Sequence, residues 1–559
     1  MAVTDFPYQA SGGSAADESR PPTPSVRDRM VPPMGGSRWW GWLGPILVTV
    51  FGGIIRFINL GHPNAVVFDE TYYAKDGFSL ITWLVERVTI KDADKAILSG
   101  NTDIWQKCAA GNLDPCASYV VHPPLGKWMI GAGEWLFGMT PFGWRFAAAV
   151  VGTLSILILA RVARRMTRST LLGCFAGLLL ALDGLHFVLS RTALLDIFLM
   201  FWVLAAFACL VVDRDRARER LADWYESTPL SPQGPWLGIR PWRVAAGLCL
   251  GAAMGVKWSG LAFAVAFAAM SLLWDFGARR AVGVRHPYRG GFAKDVPNGL
   301  LAFGAAPVVA YMATWAGWFA TETGYGRNWG QATSSGPFFF VFDSVRSWVK
   351  YQWQVFTFHN GLETSHPYMS EPWSWPLLLR PVAFHYEGKQ NVCGAAKDCS
   401  EAVLGVGTPA IWFAALAALV GLIAWYVATR DWRAGAVLLS YAMGWLPWFY
   451  FAFAHNRTMF LFYAIPMVPF MVLAITLCAG WLIGPAVRAD DGRFRPETGG
   501  LALITFWWVH RRRAVGAAVV GGFALLALIN FWWLHPVLSA ELLPYSEWKA
   551  RMLFEKRWI

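Results

Sequence analysis

The sequence predicts an all-α polytopic membrane protein, and three observations carry that reading. Of 559 residues, 56% are hydrophobic and only 15% are charged, where a soluble domain carries about 25% charged residues. The apolar residues are gathered into runs suited to crossing a hydrocarbon core of roughly 30 Å. Basic residues cluster in alternate connections between those runs, which fixes an orientation. The formal net charge of +12 is therefore a signature of topology and excludes a nucleic-acid-binding reading.

Residues 1–38 are rich in Ser, Gly, Pro and charge, show no apolar period, and are expected to form a disordered cytoplasmic tail. They do not read as a cleavable signal, because the apolar run begins only at Trp39. The first span runs from Trp39 to Leu60 and carries Arg56 near its far end. Ten more are expected near 142–160, 171–189, 194–212, 244–256, 259–276, 299–318, 409–428, 434–453, 459–483 and 514–534, which makes about eleven transmembrane helices. The long apolar stretch around Lys257 is divided there, because two short helices keep the charge bias in phase.

With this count, 27 of the 48 Lys and Arg residues lie in the tail or in inside connections, among them Arg161, Arg164, Arg165, Arg430, Arg433, Arg488, Arg493, Arg495 and Arg511 to Arg513. The amino terminus is then cytoplasmic and, the count being odd, the carboxyl terminus is outside. The organisation reads as an amino-terminal transmembrane module (39–318) with a first extracytoplasmic loop at 61–141, a second large loop at 319–408, carboxyl-terminal helices at 409–534, and an extracytoplasmic tail at 535–559. The two outer loops hold Cys108, Cys116, Cys393 and Cys399, whereas Cys174, Cys209, Cys249 and Cys478 lie in apolar spans. In an oxidising compartment the outer four are candidates for two short-range disulfides, with free thiols as the alternative. No outer Cys or His set has the ligand spacing of a structural zinc site, so no metal is expected.

Asp69 and Glu70, in V-V-F-D-E-T-Y-Y-A-K (66–75), stand just beyond the first span in an apolar and aromatic setting. Ionisable residues at the membrane edge are costly and mark functional sites. Equally, Asp69 is placed to cap the helix that begins at Thr71. Tyr73 shares the motif. V-V-H-P-P-L-G-K-W (120–128) supplies His122, kept extended by Pro123 and Pro124, and Lys127, while G-W-R-F supplies Arg145. These cations either gather around an anionic headgroup or snorkel to the interface.

In H-F-V-L-S-R-T-A-L-L-D, a mutual Arg191–Asp196 pair that lowers the cost of both is preferred to a catalytic role. Lys257, in G-V-K-W-S-G, falls at an outer turn. The stretch F-H-N-G-L-E-T-S-H-P-Y-M-S-E-P-W-S-W-P (358–376) contains prolines that forbid a continuous helix. Its His366, Tyr368, Trp373 and Trp375 offer a surface for a peptide or sugar, or a belt at the lipid interface. Arg457, in F-A-H-N-R-T-M-F, suits a phosphate through its forked donors.

Taken in order, and together with the terminal R-M-L-F-E-K-R-W-I, these motifs resemble the protein O-mannosyltransferases, in particular the actinobacterial-type members that use polyprenyl-phosphate mannose. The resemblance runs from about Gly61 to Ile559. It implies a GT-C type membrane glycosyltransferase of the plasma membrane, with its active site at the outer face. Such an enzyme transfers mannose with inversion from the lipid-linked donor to Ser and Thr hydroxyls of secreted proteins.

Carried over by position, Asp69 is the catalytic base and Glu70 its partner in positioning. His122, Lys127, Arg145 and Arg457 hold the donor phosphate, and Tyr73, His366, Tyr368 and Trp373 contact acceptor or sugar. The second loop is too short for the MIR domain that eukaryotic members insert there. Because the donor brings its own leaving group, no metal or other cofactor is expected. Partners are the lipid-linked donor, secreted polypeptides and membrane lipids, with the secretion translocon as a further candidate. Two other readings are another lipid-phosphate-sugar transferase acting on a lipid or glycan, and a transporter or flippase. Against the transporter, the charges gather at one face and no inverted repeat is visible.

Overall fold

The computed structural model describes residues 25–108, 116–227, 231–332, 339–484 and 500–558. Residues 1–24 of the expected tail, together with Arg488, Arg493 and Arg495, lie outside them. Among the described residues, nine helices are long and apolar enough to cross a membrane. Two shorter apolar helices, Thr170–Ala181 and Pro241–Val256, stand where two of the eleven expected spans fall. Length and composition therefore support nine spans and leave those two as short helices.

The chain enters through α1 (Trp40–Phe57), which runs along the outside of the bundle. Next comes α2 (Glu70–Trp83), which opens on the acidic pair and packs on α3 (Leu125–Phe137). Glycine makes that contact: a Cβ on Gly131 would lie 2.5 Å from the Gly77 carbonyl oxygen, so the two backbones touch only because side chains are absent. The following helix, α4 (Pro141–Thr167), starts with Pro141 in its first turn and the Thr140 hydroxyl accepting from the Gly143 amide at 3.2 Å. After α5 (Thr170–Ala181) comes α6 (Leu195–Ser227), apolar and deeply buried in its first half and charged in its second. On that charged half, Asp223 and Glu226 each pair with Arg27 at 2.8 Å. The short helix Val26–Met30, within the expected tail, thereby lies against the body, with Met30 buried beside Ala217 and Leu221.

Lys257 separates α7 (Pro241–Val256) from α8 (Gly260–Ala281), its own backbone being extended at ψ 141°. The second large loop holds α9 (Phe339–Asn360) and an antiparallel hairpin of β1 (Val382–Cys393) and β2 (Ala396–Gly405). Strand β3 (Leu543–Pro544), from the terminal tail, adds antiparallel to β2. The expected helical membrane bundle is what the chain forms, with one small three-stranded sheet added outside the helices. The hairpin is local, its strands 12 and 10 residues long around the turn at 394–395, and the alternation of Val382, Phe384 and Tyr386 is its signal in the sequence; only β3 comes from far along the chain. Disulfides join Cys108 to Cys116 and Cys393 to Cys399, with Cα atoms 6.1 Å apart in both.

The carboxyl-terminal helices are α10 (Pro409–Thr429), the two-part span Trp432–His455, α11 (Val468–Ile483) and α12 (Gly500–Leu538). Apolar on every side, α11 is accordingly enclosed on nearly every side. The bundle has two distinct ends. At one, Lys257 and Asp196 lie within electrostatic reach of Asp69, and Lys257 and Arg457 within reach of His122. At the other, Arg165 and Arg168 hold Asp215 at 3.0 and 3.3 Å, Arg240 bridges Asp213 and Asp275, and Arg433 donates to the Met166 carbonyl at 3.4 Å.

Candidate active site

The acidic pair is delivered by a turn in which Phe68 takes a left-handed backbone conformation, φ +47°. That geometry costs a bulky residue roughly 1–3 kcal/mol and persists only where surroundings impose it. Here the Phe68 ring is held among Phe384, Phe460, Phe462 and His366, with ring centroids 5.1–6.0 Å away. The two carboxylates that follow have different environments.

Glu70 is fully buried and fully committed. Its oxygens accept from Arg145 Nε at 2.8 Å and Nη2 at 2.9 Å, and from the backbone amides of Val67 and Ala193, both at 3.0 Å. The remaining Arg145 donors reach the carbonyls of Leu60, Pro63 and Ala65 at 3.4, 3.0 and 2.8 Å. The expectation that Arg145 faces a donor phosphate is therefore corrected: all five of its N–H groups are spent on the fold. Glu70 is likewise a clamp on the entry to α2 rather than a group open to substrate.

Asp69 is the reverse case. It sits at the amino end of α2, but its side chain makes no capping hydrogen bond and pairs with no described residue. It remains partly open, yet burial pushes it up to about 6, with Lys257 opposing the rise and Asp196 adding to it. Such a carboxylate is ionised at neutral pH and more basic than an ordinary one, which suits a general base. Lys257 Nζ donates to Asp196 Oδ2 at 2.7 Å and lies 5.1 Å from the Tyr463 ring centre. The expected Arg191–Asp196 pair is overturned. Arg191 instead caps the end of α1 through the carbonyls of Ile55, Arg56, Ile58 and Asn59 at 2.6–3.3 Å.

Of the other predicted phosphate ligands, Lys127 is also corrected. It is buried between α2 and α3, donates to Glu86 and lies 3.9 Å from Asp76. His122 does join the site, its ring 6.3 Å from that of Tyr73 and 5.1 Å from that of His359. Burial, first, and then Lys257, His359, Lys127 and Arg457 hold it well below the usual histidine range. His122 is thus neutral, a hydrogen-bonding group rather than the expected cation.

Arg457 stands apart among the four. Its Nη2 lies 3.2 Å from His359 Nδ1, its guanidinium lies over Phe451 and Trp448, and its Nε is buried without a hydrogen-bond partner. No carboxylate among the described residues neutralises it. His359, at the carboxyl end of α9, uses Nε2 on the Val121 carbonyl at 2.8 Å, which leaves Nδ1 as the acceptor from Arg457. Burial and Arg457 hold His359 at about 4.

Tyr73 is buried one turn after Asp69. His366 packs on Phe68 and Phe460 beside the turn that delivers Asp69, and its Nδ1 accepts from the Tyr368 amide at 3.1 Å, while the Tyr368 ring lies between His366 and Arg380. Trp373 does not. It is 49% exposed and stacks on Phe453, itself 74% exposed, on the bundle's aromatic rim. Of the two placements expected for Trp373, an acceptor or sugar surface and a belt at the lipid interface, this exposed aromatic rim suits the belt. Three further groups here, Asp196, His359 and Tyr463, were not singled out as site residues. His359 could have been found, because it stands in the F-H-N-G end of an amphipathic helix.

Two family models match the chain. Residues 116–285 match the model described as dolichyl-phosphate-mannose-protein mannosyltransferase, and residues 344–558 match the C-terminal four TMM region of protein-O-mannosyltransferase. The polyprenol-phosphate-mannose–protein mannosyltransferase of Mycolicibacterium smegmatis (strain MKD8) is 39% identical over 84% of this chain and 86% of its own length. The protein of the same name from Mycobacterium tuberculosis (strain ATCC 25618 / H37Rv) is 38% identical over 91% and 90%. Among solved structures, the Saccharomyces cerevisiae protein O-mannosyltransferase Pmt1-Pmt2 complex bound to the sugar donor shares the fold. Its TM-score is 0.65 over 93% of this chain and 92% of that one, at 14% identity. By its identity to these relatives over most of its length, the chain belongs to the protein O-mannosyltransferase family.

Proposed function

We propose that this chain transfers mannose, with inversion, from polyprenyl-phosphate mannose to Ser and Thr hydroxyls of secreted polypeptides at the outer face of the cell membrane. One observation carries the reading: an unspent carboxylate, Asp69, and an arginine that has no carboxylate partner among the described residues, Arg457, both lie within electrostatic reach of the Tyr463 hydroxyl. The basic clusters collect at the opposite end of the bundle, which supports a cytoplasmic amino terminus and an outward-facing site and carboxyl terminus. The relatives' name supports both the donor and the protein acceptor.

A hydroxyl is a poor nucleophile near pH 7. Asp69 accepts its proton as the new oxygen–C1 bond forms, a contribution typically worth about 10² to 10⁴ in rate. As the C1–phosphate oxygen bond breaks, its electron pair passes to the lipid phosphate. Arg457 is already in place to stabilise that charge, with Lys257 adding field and His122 offering a neutral hydrogen bond. Attack and departure on opposite faces of C1 invert the anomeric centre. Glu70 and Arg145 act one step removed, by fixing the start of α2 and hence Asp69. The donor brings its own leaving group, so the proposal includes activity in EDTA. The secretion translocon fits as a source of extended acceptor chain.

The test is transfer of labelled mannose from polyprenyl-phosphate mannose to a Ser/Thr peptide by the purified chain. Label is expected on the peptide, with anomeric configuration opposite to the donor's. Label confined to a lipid or glycan acceptor, or retained configuration, would overturn the proposal.

A further inference from the structure

Two arginines described above are held by opposite kinds of partner. Arg145 is gripped by a carboxylate, Glu70, which fixes it and cancels its charge. Arg457 is fixed without being cancelled. The turn that carries it is pinned to the chain leaving α9: the Thr458 amide donates to the Leu362 carbonyl at 3.0 Å, and the Ser370 amide to the Met459 carbonyl at 2.8 Å. Its guanidinium has one hydrogen-bond partner among the described residues, His359 Nδ1, 3.2 Å from Nη2. His359 is fixed in turn. It stands in the last turn of α9, its Nε2 lies 2.8 Å from the Val121 carbonyl oxygen, and its ring is flanked by those of His122 at 5.1 Å and Trp258 at 6.4 Å.

These two hydrogen bonds leave the imidazole a single state. A carbonyl only accepts, so Nε2 carries the proton; a guanidinium only donates, so Nδ1 carries none. The ring is neutral, and Arg457 keeps its whole charge.

We propose that His359 is a positioning residue: it orients Arg457 toward the donor phosphate through a neutral acceptor, and so fixes the cation without discharging it. The proposal rests on the reading under Proposed function that Arg457 meets the lipid phosphate. A carboxylate at the same place would hold the guanidinium at least as firmly, since hydrogen bonds between charged groups are roughly twice as strong as neutral ones. It would also cancel the field that stabilises the departing phosphate, as Glu70 does for Arg145. An apolar side chain would leave the charge but free a side chain whose rotamers must be frozen again when donor binds. Of the three choices, the neutral acceptor gives both orientation and charge.

The test is an isosteric pair, measured on the full chain in nanodiscs for binding of polyprenyl phosphate, for kcat and donor KM of mannose transfer to a Ser/Thr peptide, and for thermal midpoint. In His359→Asn the amide oxygen stands where Nδ1 stood and remains a neutral acceptor; in His359→Asp the equivalent oxygen carries negative charge. His359→Asn is expected to stay within about tenfold of the parent in kcat/KM, having lost one neutral hydrogen bond to Val121. His359→Asp is expected to bind polyprenyl phosphate more weakly and to lose about 10² to 10³ in kcat, with a midpoint no lower than that of His359→Asn. In an Arg457→Gln background the two should become alike, because the role runs through that arginine. Where the aspartate variant fails to fold, His359→Ala decides: its donor KM is expected to rise by about two- to tenfold, and an unchanged KM would overturn the proposal. So would equal polyprenyl phosphate binding and equal kcat in the isosteric pair, or a fall in midpoint in both with kcat per folded chain unaltered. Weaker polyprenyl phosphate binding by His359→Asp than by His359→Asn, in a chain that transfers no mannose, would uphold the role of His359 and overturn the function instead.

Discussion

Asp69 and Glu70 are adjacent in sequence and identical in charge, yet the fold uses them in opposite ways. Glu70 receives four hydrogen bonds, two of them from a buried arginine, and is shut away from solvent. Asp69 receives no capping bond and is left with a raised proton affinity. The same contrast divides the cations. Arg145 and Lys127 are neutralised by Glu70 and Glu86, whereas Arg457 meets only a neutral histidine and aromatic faces. What separates a structural charge from a chemical one here is whether its partners are already inside the protein.

Substitutions sharpen that contrast. The largest structural effect is expected at Glu70. Glu70→Gln leaves Arg145 buried without its counter-charge, a loss of about 3–5 kcal/mol, read as a fall in folded protein and in thermal midpoint, with Arg145→Met as its mirror. A pure loss of turnover in a fully stable Glu70→Gln would place Glu70 in the chemistry instead. Arg457→Ala is next: losing a charged hydrogen bond to phosphate, worth about 1.5–3 kcal/mol, should lower kcat/KM by about 10- to 150-fold with the midpoint little changed. Unchanged donor KM and kcat would remove Arg457 from the site.

The pH dependence is a gentler probe. Asp69 must be deprotonated to accept a proton, and burial raises it to about 6, so kcat/KM should rise with pH through about 6 and level off above it. A rate already level at pH 5 would contradict that value. Trp373→Ala, on the exposed rim, should change stability by no more than about 0.5 kcal/mol and leave peptide KM unaltered. A large rise in peptide KM would restore it to the acceptor surface.

The broad fold was legible because a membrane writes its constraint locally: apolar runs and arginine clusters need only neighbouring residues to be read. The break at Lys257 was legible for the same reason. The partners of the charges were not. Arg145 reaches Glu70 across 75 positions, Lys127 reaches Glu86 across 41, and Arg457 reaches His359 across 98. A sequence shows that a cation stands near the outer face, but only the fold shows what has already neutralised it. Of the sheet, only β3 was hidden for a related reason, since it pairs with β2 through residues more than 140 positions apart; the β1–β2 hairpin is local and its alternation stood in the sequence. His359 was within reach, because it ends an amphipathic helix beside the motif that drew attention to His366.

The most direct measurement is the single-turnover rate of Asp69→Asn, with donor binding and thermal midpoint measured on the same preparation. Asparagine keeps the shape and removes the proton acceptor. The prediction is a rate lower by about 10² to 10⁴, with donor still bound and the fold intact. A rate within a few-fold of the parent's would show that Asp69 is not the base.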